Sequence, residues 1–305
     1  EDVSMCVLPL SHLHGQMVSM VATICSGGTL ILPKRFNAGR FWDILRQHHV
    51  TWFSAVPPIL NVLHQSIVAP PPHTCTLRFA RSSSAPLSLA VLKEFEEIVG
   101  CPLVEAYGLT EAGGHVATNP LPPRIRKPSS VGLPTGVQVA ILGESRAPMP
   151  VGEEGELALM GEGITRRYYR NSNANAQARV GTWFLTGDLG YVDSEGYIYI
   201  TGRKREQITR GEERISPREV DEILHRHPKV AEAATVGVPS PTYGQEVEAY
   251  VVLRAGESAS EIEIRNHCAL HLTESKCPKN IRFVPTLPRS PNGKIQRYRL
   301  LDAGS

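Results

Sequence analysis

FLTGDLGYVDSEGYIYITGRKREQITRGEERISPREVDEIL, residues 184–224, changes texture twice, and those changes decide the architecture. Up to Gly202, apolar and polar residues alternate between glycine and aspartate punctuation, a β-meander pattern with Asp193-Ser194-Glu195-Gly196 as a turn. At Arg203–Arg205 the stretch becomes charged, as expected of a junction that few contacts need to cross. Beyond it, Ser216-Pro217 offers a helix cap and a first-turn proline, predicting a helix over about 217–227.

Working outward, apolar runs predict strands at 230–238 and 247–253 and a helix at about 259–272, which makes residues 206–305 a small α+β domain. Upstream, VGLPTGVQVAIL, GELALMG and GYIYITG predict a β-rich subdomain over about 131–202. Before that, short apolar runs (Cys6–Leu10, Thr29–Leu32, Thr51–Ala55, Leu77–Ala80, Leu103–Ala106) alternate with helix-like stretches near 38–49, 56–66 and 88–99. This alternation is the mark of layered α/β structure. The expected fold class is therefore α/β: part of a large layered domain at 1–202, a hinge at 203–205 and a small mobile domain at 206–305. The one low-complexity tract is Pro70–Pro72.

With 32 Lys+Arg against 30 Asp+Glu, the net charge is +2, and no basic run is long enough for a nucleic-acid footprint. Small, mostly anionic substrates are expected instead. The six cysteines are far apart, without a CxxC pair or zinc-type spacing, as in a reduced cytoplasmic protein. Apolar stretches such as Met17–Ile24 fall short of the roughly 20 residues of a membrane span. The C-terminus carries no SKL-type peroxisomal signal, and a signal upstream of Glu1 is left open.

Four short motifs occur in order: YGLTE (107–111), FLTGD (184–188), GRKREQI (202–208) and PNGKIQR (291–297). In YGLTE an aromatic ring can stack on adenine, a hydroxyl can donate to a phosphate oxygen and a carboxylate can hold magnesium. Alone, the motif could equally be a strand-to-loop turn built on Gly108. PNGKIQR contains Gly-Lys but matches no Walker motif, so Lys294 could be a solvated lysine on a turn.

As an ordered set, these motifs resemble the adenylate-forming superfamily of acyl-CoA synthetases, luciferases and peptide-synthetase adenylation domains. Within it, LPLSHLHG, TWFSAVPPI, RFARSSSAPL, EAYGLTEA, NPLP and RISPREVDEIL resemble the oxalate–CoA ligase branch. The resemblance implies ATP, Mg2+ and coenzyme A as co-substrates and a small carboxylic acid as the group activated. It gives Tyr107, Ser84 and Ala85 to the nucleotide, Thr110 to phosphate and Glu111 to magnesium. Asp188 would hold the ribose hydroxyls, with Arg203 beside them. Lys294 would bridge carboxylate and α-phosphate, a preorganised cation typically worth about 10²–10³ in rate or more. Arg205 would be the hinge, after whose rotation Gly211 and Glu212 line the pantetheine tunnel.

His14, Ser82, Ser83 and His115 would wall the acid pocket, the histidine and serine donors suiting oxalate or another short dicarboxylate. Malonate and medium-chain acids are the competing substrates. His12 and His14 also permit a metal reading, against which the absence of a nearby third ligand weighs.

The sequence departs from the family pattern in three places. No Gly/Ser/Thr-rich phosphate loop is present, and the chain opens at Glu1, so the resemblance implies the C-terminal part of a longer enzyme that adenylates poorly alone. Glu212 stands where relatives carry glycine, implying an impaired thioester step. Arg167 also replaces a usual glycine. These departures keep a degenerate nucleotide-binding remnant as the alternative. A peptide-synthetase module is disfavoured, because no carrier segment follows.

Overall fold

The computed structural model describes residues 2–65, 76–290 and 293–302; Pro70–Pro72 lies outside this range. The chain forms two compact units, Glu1–Thr186 with Tyr191–Ile200, and Gly187–Gly190 with Thr201–Ser305.

The first unit opens with strands β1 (Val3–Cys6), β2 (Thr29–Ile31), β3 (Trp52–Ala55), β4 (Phe79–Ser82) and β5 (Leu103–Tyr107), followed by the short β6 (Ala117–Thr118) and β7 (Leu133–Pro134). They lie in the order β2-β1-β3-β4-β5-β6-β7. The first five are parallel, and β6 and β7 extend the sheet antiparallel. Helices Ala38–Gln47, Pro57–Gln65 and Leu89–Val99 follow β2, β3 and β4. Asn37 caps the first by accepting from the Arg40 amide, and Gly100 at φ +72° stops the third.

One face of the sheet carries Met5, Phe53, Ala55, Ala80 and Leu103 into a core with Leu45, Leu60 and Phe95. Phe53 meets Phe41 and Phe95 edge-on, with centroids 4.9 and 6.4 Å apart. Each such fully buried ring contributes roughly 1.5–3 kcal/mol.

Three local expectations shift. The first strand ends at Cys6 rather than running from Cys6 to Leu10. His14–Val21 forms a wide π-helical segment that continues as an α-helix, Ala22–Cys25, where no element was predicted. Residues 133–134 join the first sheet, so the second begins at β8 (Gln138–Leu142) and contains β9 (Gly155–Met160), β10 (Arg179–Val180), β11 (Trp183–Val192) and β12 (Ile198–Arg203).

The second unit contains β13 (Ile208–Arg210), β14 (Glu213–Ile215), β15 (Val230–Ser240), β16 (Gly244–Leu253) and β17 (Asn280–Phe283), in the order β14-β13-β16-β15 with β17 parallel to β16. Helices Pro217–His225 and Glu261–Ala269 bury Val220, Leu224, Ile264 and Cys268 against Ile208, Val247 and Val251. Pro217 sits in the first helical turn, but Ser216 makes no side-chain cap. Its hydroxyl instead donates to the Thr201 carbonyl of β12 at 2.6 Å.

Candidate active site

In open parallel sheets, ligands bind in the crevice outside the carboxyl ends of the strands. Ser54 and Arg81 are register partners on β3 and β4, so their side chains share one face near that edge. Arg81 Nε donates to Ser54 Oγ at 3.2 Å and Nη2 to the Val18 carbonyl at 3.0 Å, and its guanidinium lies 5.3 Å from the Trp52 ring centroid. All three partners are neutral, and no carboxylate among the described residues pairs with Arg81. Burial lowers its pKa to about 10, which still leaves it cationic at neutral pH.

His14, at the start of the π-helical segment, spans the same edge: Nε2 is 2.6 Å from Ser54 Oγ and Nδ1 is 3.1 Å from Ser84 Oγ. Ser84 holds its place at φ +75°, an uncommon conformation for serine. Burial, with the Arg81 charge adding to it, lowers the His115 pKa to about 4, so this imidazole stays neutral. The result is one fixed cation bordered by hydroxyl and imidazole groups.

The expected acid-pocket set is divided. His14 and Ser84 are joined, and His115 feels Arg81, but Ser82 alternates to the apolar face shared with Ala80. There its buried hydroxyl has no hydrogen-bond partner. Ser83 is buried, with its amide donating to the Ala55 carbonyl, and Ala85, two positions on, is half-buried. Arg81 itself was missed, because it stands next to the end of the short strand Phe79–Ser82. For His12, no grouping of three or more metal-ligating side chains exists among the described residues.

Past β5, the YGLTE segment folds back tightly. A Cβ on Gly108 would lie 2.1 Å from the Gly114 carbonyl oxygen, so any other residue forces the backbone to shift. Thr110–Ala112 then makes a single 3₁₀ turn closed by Gly113 at φ +68°. This leaves Thr110 exposed and Glu111 half-buried, the latter accepting from the Tyr168 hydroxyl at 3.0 Å. Burial and the Glu111 carboxylate push the Tyr168 pKa up to about 12, so it remains a donor. Asn175 fixes Tyr168 through two backbone bonds of 2.6 and 3.0 Å. Tyr168 went unnoticed in the arginine-rich TRRYYRN. Arg167 is exposed and outside the left-handed region, so its backbone does not require the glycine of relatives.

One carboxylate with free lone pairs suits magnesium that arrives on ATP, since Mg2+ keeps waters and takes one or two protein carboxylates beside phosphate oxygens. Glu111 would supply that oxygen, and the ion would neutralise phosphate charge. Replacing Gly108 by alanine is expected to cost about 1–3 kcal/mol, because backbone must move aside. Thermal unfolding of the variant tests this.

In the second unit, Arg203 Nε is 2.8 Å from Asp188 Oδ1, and the Asp188 side chain is buried. Arg205 is exposed in the 3₁₀ turn Lys204–Glu206. β13 and β14 pair from Ile208↔Ile215 to Arg210↔Glu213, leaving Gly211-Glu212 as a two-residue tip. Gly211, at φ +61°, meets the turn's need for a left-handed residue, so Glu212 adopts ordinary backbone and exposes its carboxylate. Lys294 lies in a hairpin in which the Ser290 amide donates to its carbonyl at 2.9 Å.

The profile of the AMP-binding enzyme family matches residues 1–169, and that of the AMP-binding enzyme C-terminal domain matches residues 219–294. The chain belongs to the AMP-binding enzyme family, the adenylate-forming superfamily of acyl-CoA synthetases.

Among curated relatives, it is 41% identical to a sulfoacetate–CoA ligase of Cupriavidus necator, over 99% of this chain and 59% of that one. It is 40% identical to an oxalate–CoA ligase of Saccharomyces cerevisiae, over 97% of this chain and 54% of that one. The chain thus spans little more than half the length of these relatives. ATP-bound MatB from Rhodopseudomonas palustris superimposes with a TM-score of 0.93 at 29% identity, covering 99% of this chain and 60% of that one.

Proposed function

We propose that the whole protein is an AMP-forming carboxylate–CoA ligase whose acid carries a second anionic group, as oxalate does. The carrying observation is Arg81, a cation held among neutral partners at the carboxyl edge of the sheet. A half-buried guanidinium without a counter-charge is costly unless an anion completes it. Two of the matched relatives are named for sulfoacetate and oxalate, small acids with two acidic groups each.

The chemistry needs no covalent enzyme intermediate. A carboxylate oxygen attacks the α-phosphorus of ATP and pyrophosphate leaves. The thiolate of coenzyme A then attacks the acyl carbon and AMP departs. In this reading Tyr107, Ser84 and Ala85 bound the nucleotide, Thr110 donates to phosphate, and Asp188 with Arg203 orients the ribose. Lys294 screens the repulsion between the two anions of the first step. Arg205 is the hinge between the half-reactions, and His14 and His115 flank the distal anion. The 305 residues alone are expected to adenylate poorly. Pyrophosphate release by the full-length protein, compared across oxalate, sulfoacetate, acetate and octanoate, tests the proposal.

Glu212 places an exposed negative charge on the hairpin expected to face anionic coenzyme A. Thioester formation from supplied acyl-adenylate is therefore expected to rise roughly two- to fivefold in Glu212→Gly, with the gap closing at high salt. Equal rates at low salt would remove Glu212 from the thioester step.

A further inference from the structure

Lys294 is held by a small polar framework within the second unit. Arg289 Nη1 donates to the Gly293 carbonyl at 2.7 Å while its Nη2 lies 2.6 Å from Glu232, which pins one side of the hairpin to β15. The Gln296 amide donates to the Pro288 carbonyl at 2.8 Å and closes the hairpin. Three residues after the lysine, Arg297 divides its fork among three elements. Nη2 is 2.5 Å from Asp221 Oδ2 on the helix Pro217–His225, Nη1 donates to the Thr235 carbonyl of β15 at 2.9 Å, and Nε is 3.3 Å from Glu206 Oε2. Asp221 is buried and also accepts from the Thr235 amide at 2.7 Å, so the anchor is itself fixed. Burial would lower the Arg297 pKa, but the Asp221 and Glu206 carboxylates outweigh it and raise it instead.

Glu206 closes the 3₁₀ turn that carries Arg205. We propose that Arg297 is a positioning residue for Lys294, and that its bond to Glu206 ties the lysine hairpin to the hinge turn. The inference rests on the reading of Lys294 as the adenylation cation. A planar three-way fork suits this role, because an ammonium in its place could not hold three acceptors in fixed directions. Misplacing a cation by about 1 Å is enough to cost on the order of 10²-fold in a step that depends on positioning.

The test uses the full-length protein and both half-reactions. Arg297→Gln is expected to lower the rate of acyl-adenylate formation about 10²-fold with the KM for ATP little changed. Thioester formation from supplied acyl-adenylate should stay within about threefold. The decisive comparison is the double variant with Lys294→Ala, because a residue that acts through the lysine adds no further loss once the lysine is gone. Equal adenylation by Lys294→Ala and the double variant supports the proposal; multiplicative losses overturn it, as does an equal fall in both half-reactions. Full adenylation activity in Lys294→Ala would instead defeat the reading of the lysine itself. Should Arg297→Gln fail to fold, Glu206→Gln, which leaves the Asp221 anchor intact, decides: a three- to tenfold loss confined to adenylation supports the tie, and unchanged adenylation overturns it.

Discussion

Lys294→Ala is expected to lower the rate of acyl-adenylate formation by about 10²–10³-fold or more, while thioester formation from supplied acyl-adenylate continues near its normal rate. Both reactants of the first step are anionic, and a fixed cation acts most where their charges converge. In the second step a thiolate attacks an acyl-phosphate mixed anhydride, and the α-phosphate no longer gains an attacking carboxylate. The side chain can be removed without collapsing its support, because the hairpin is held by the backbone bonds of Ser290, Gly293 and Gln296. Single-turnover measurement of the two half-reactions reads the split, and an equal effect on both would remove the lysine from its assigned role.

Arg81→Met is expected to reduce kcat/KM for dianionic acids by about 10²–10³-fold, the usual consequence of truncating one partner of a buried, hydrogen-bonded charge pair. Activity toward a monoanionic acid such as acetate should change far less. Stability should move the other way. Among the described residues the guanidinium's hydrogen-bond and ring partners are Ser54, Val18 and Trp52, and an apolar chain of similar length keeps the Trp52 contact while removing a desolvated charge. The variant's melting temperature is therefore expected to be equal or higher. A residue that costs stability and serves the ligand is common at binding sites, and opposite signs in the two assays would identify one.

Much of the layered α/β arrangement is legible in the sequence, because apolar runs such as TWFSA and amphipathic stretches such as LAVLKEFEEIV have clear periods. The helical segment His14–Cys25 is not, since LSHLHGQM mixes glycine, histidine and serine without a helical stripe, and its π turns have no 3.6 period. Serines 82–84 form a run whose faces are undefined until the β4 register is known, which is why Ser82 was grouped with its neighbours. Ser216 shows the same limit, for its cap signal is local while the Thr201 carbonyl that claims its hydroxyl is not.

The motif residues stand out in the sequence, and the groups that touch them do not. Tyr168 lies 57 positions from Glu111, and Asp221 lies 76 positions from Arg297. Such pairs leave no local spacing to read. Arg81 was hidden differently: an arginine at the end of a strand reads as a solvated terminus until Ser54 and Trp52 are seen beside it.

The central claim, activation of an acid with two anionic groups, is tested most directly by acid-dependent pyrophosphate release from Mg-ATP by the full-length protein with oxalate, sulfoacetate, malonate, acetate and octanoate. The prediction is a kcat/KM for at least one dianionic acid about 10²-fold or more above those for acetate and octanoate. Comparable or faster release with acetate or octanoate, or no release with any acid from folded protein that still binds ATP, would contradict it.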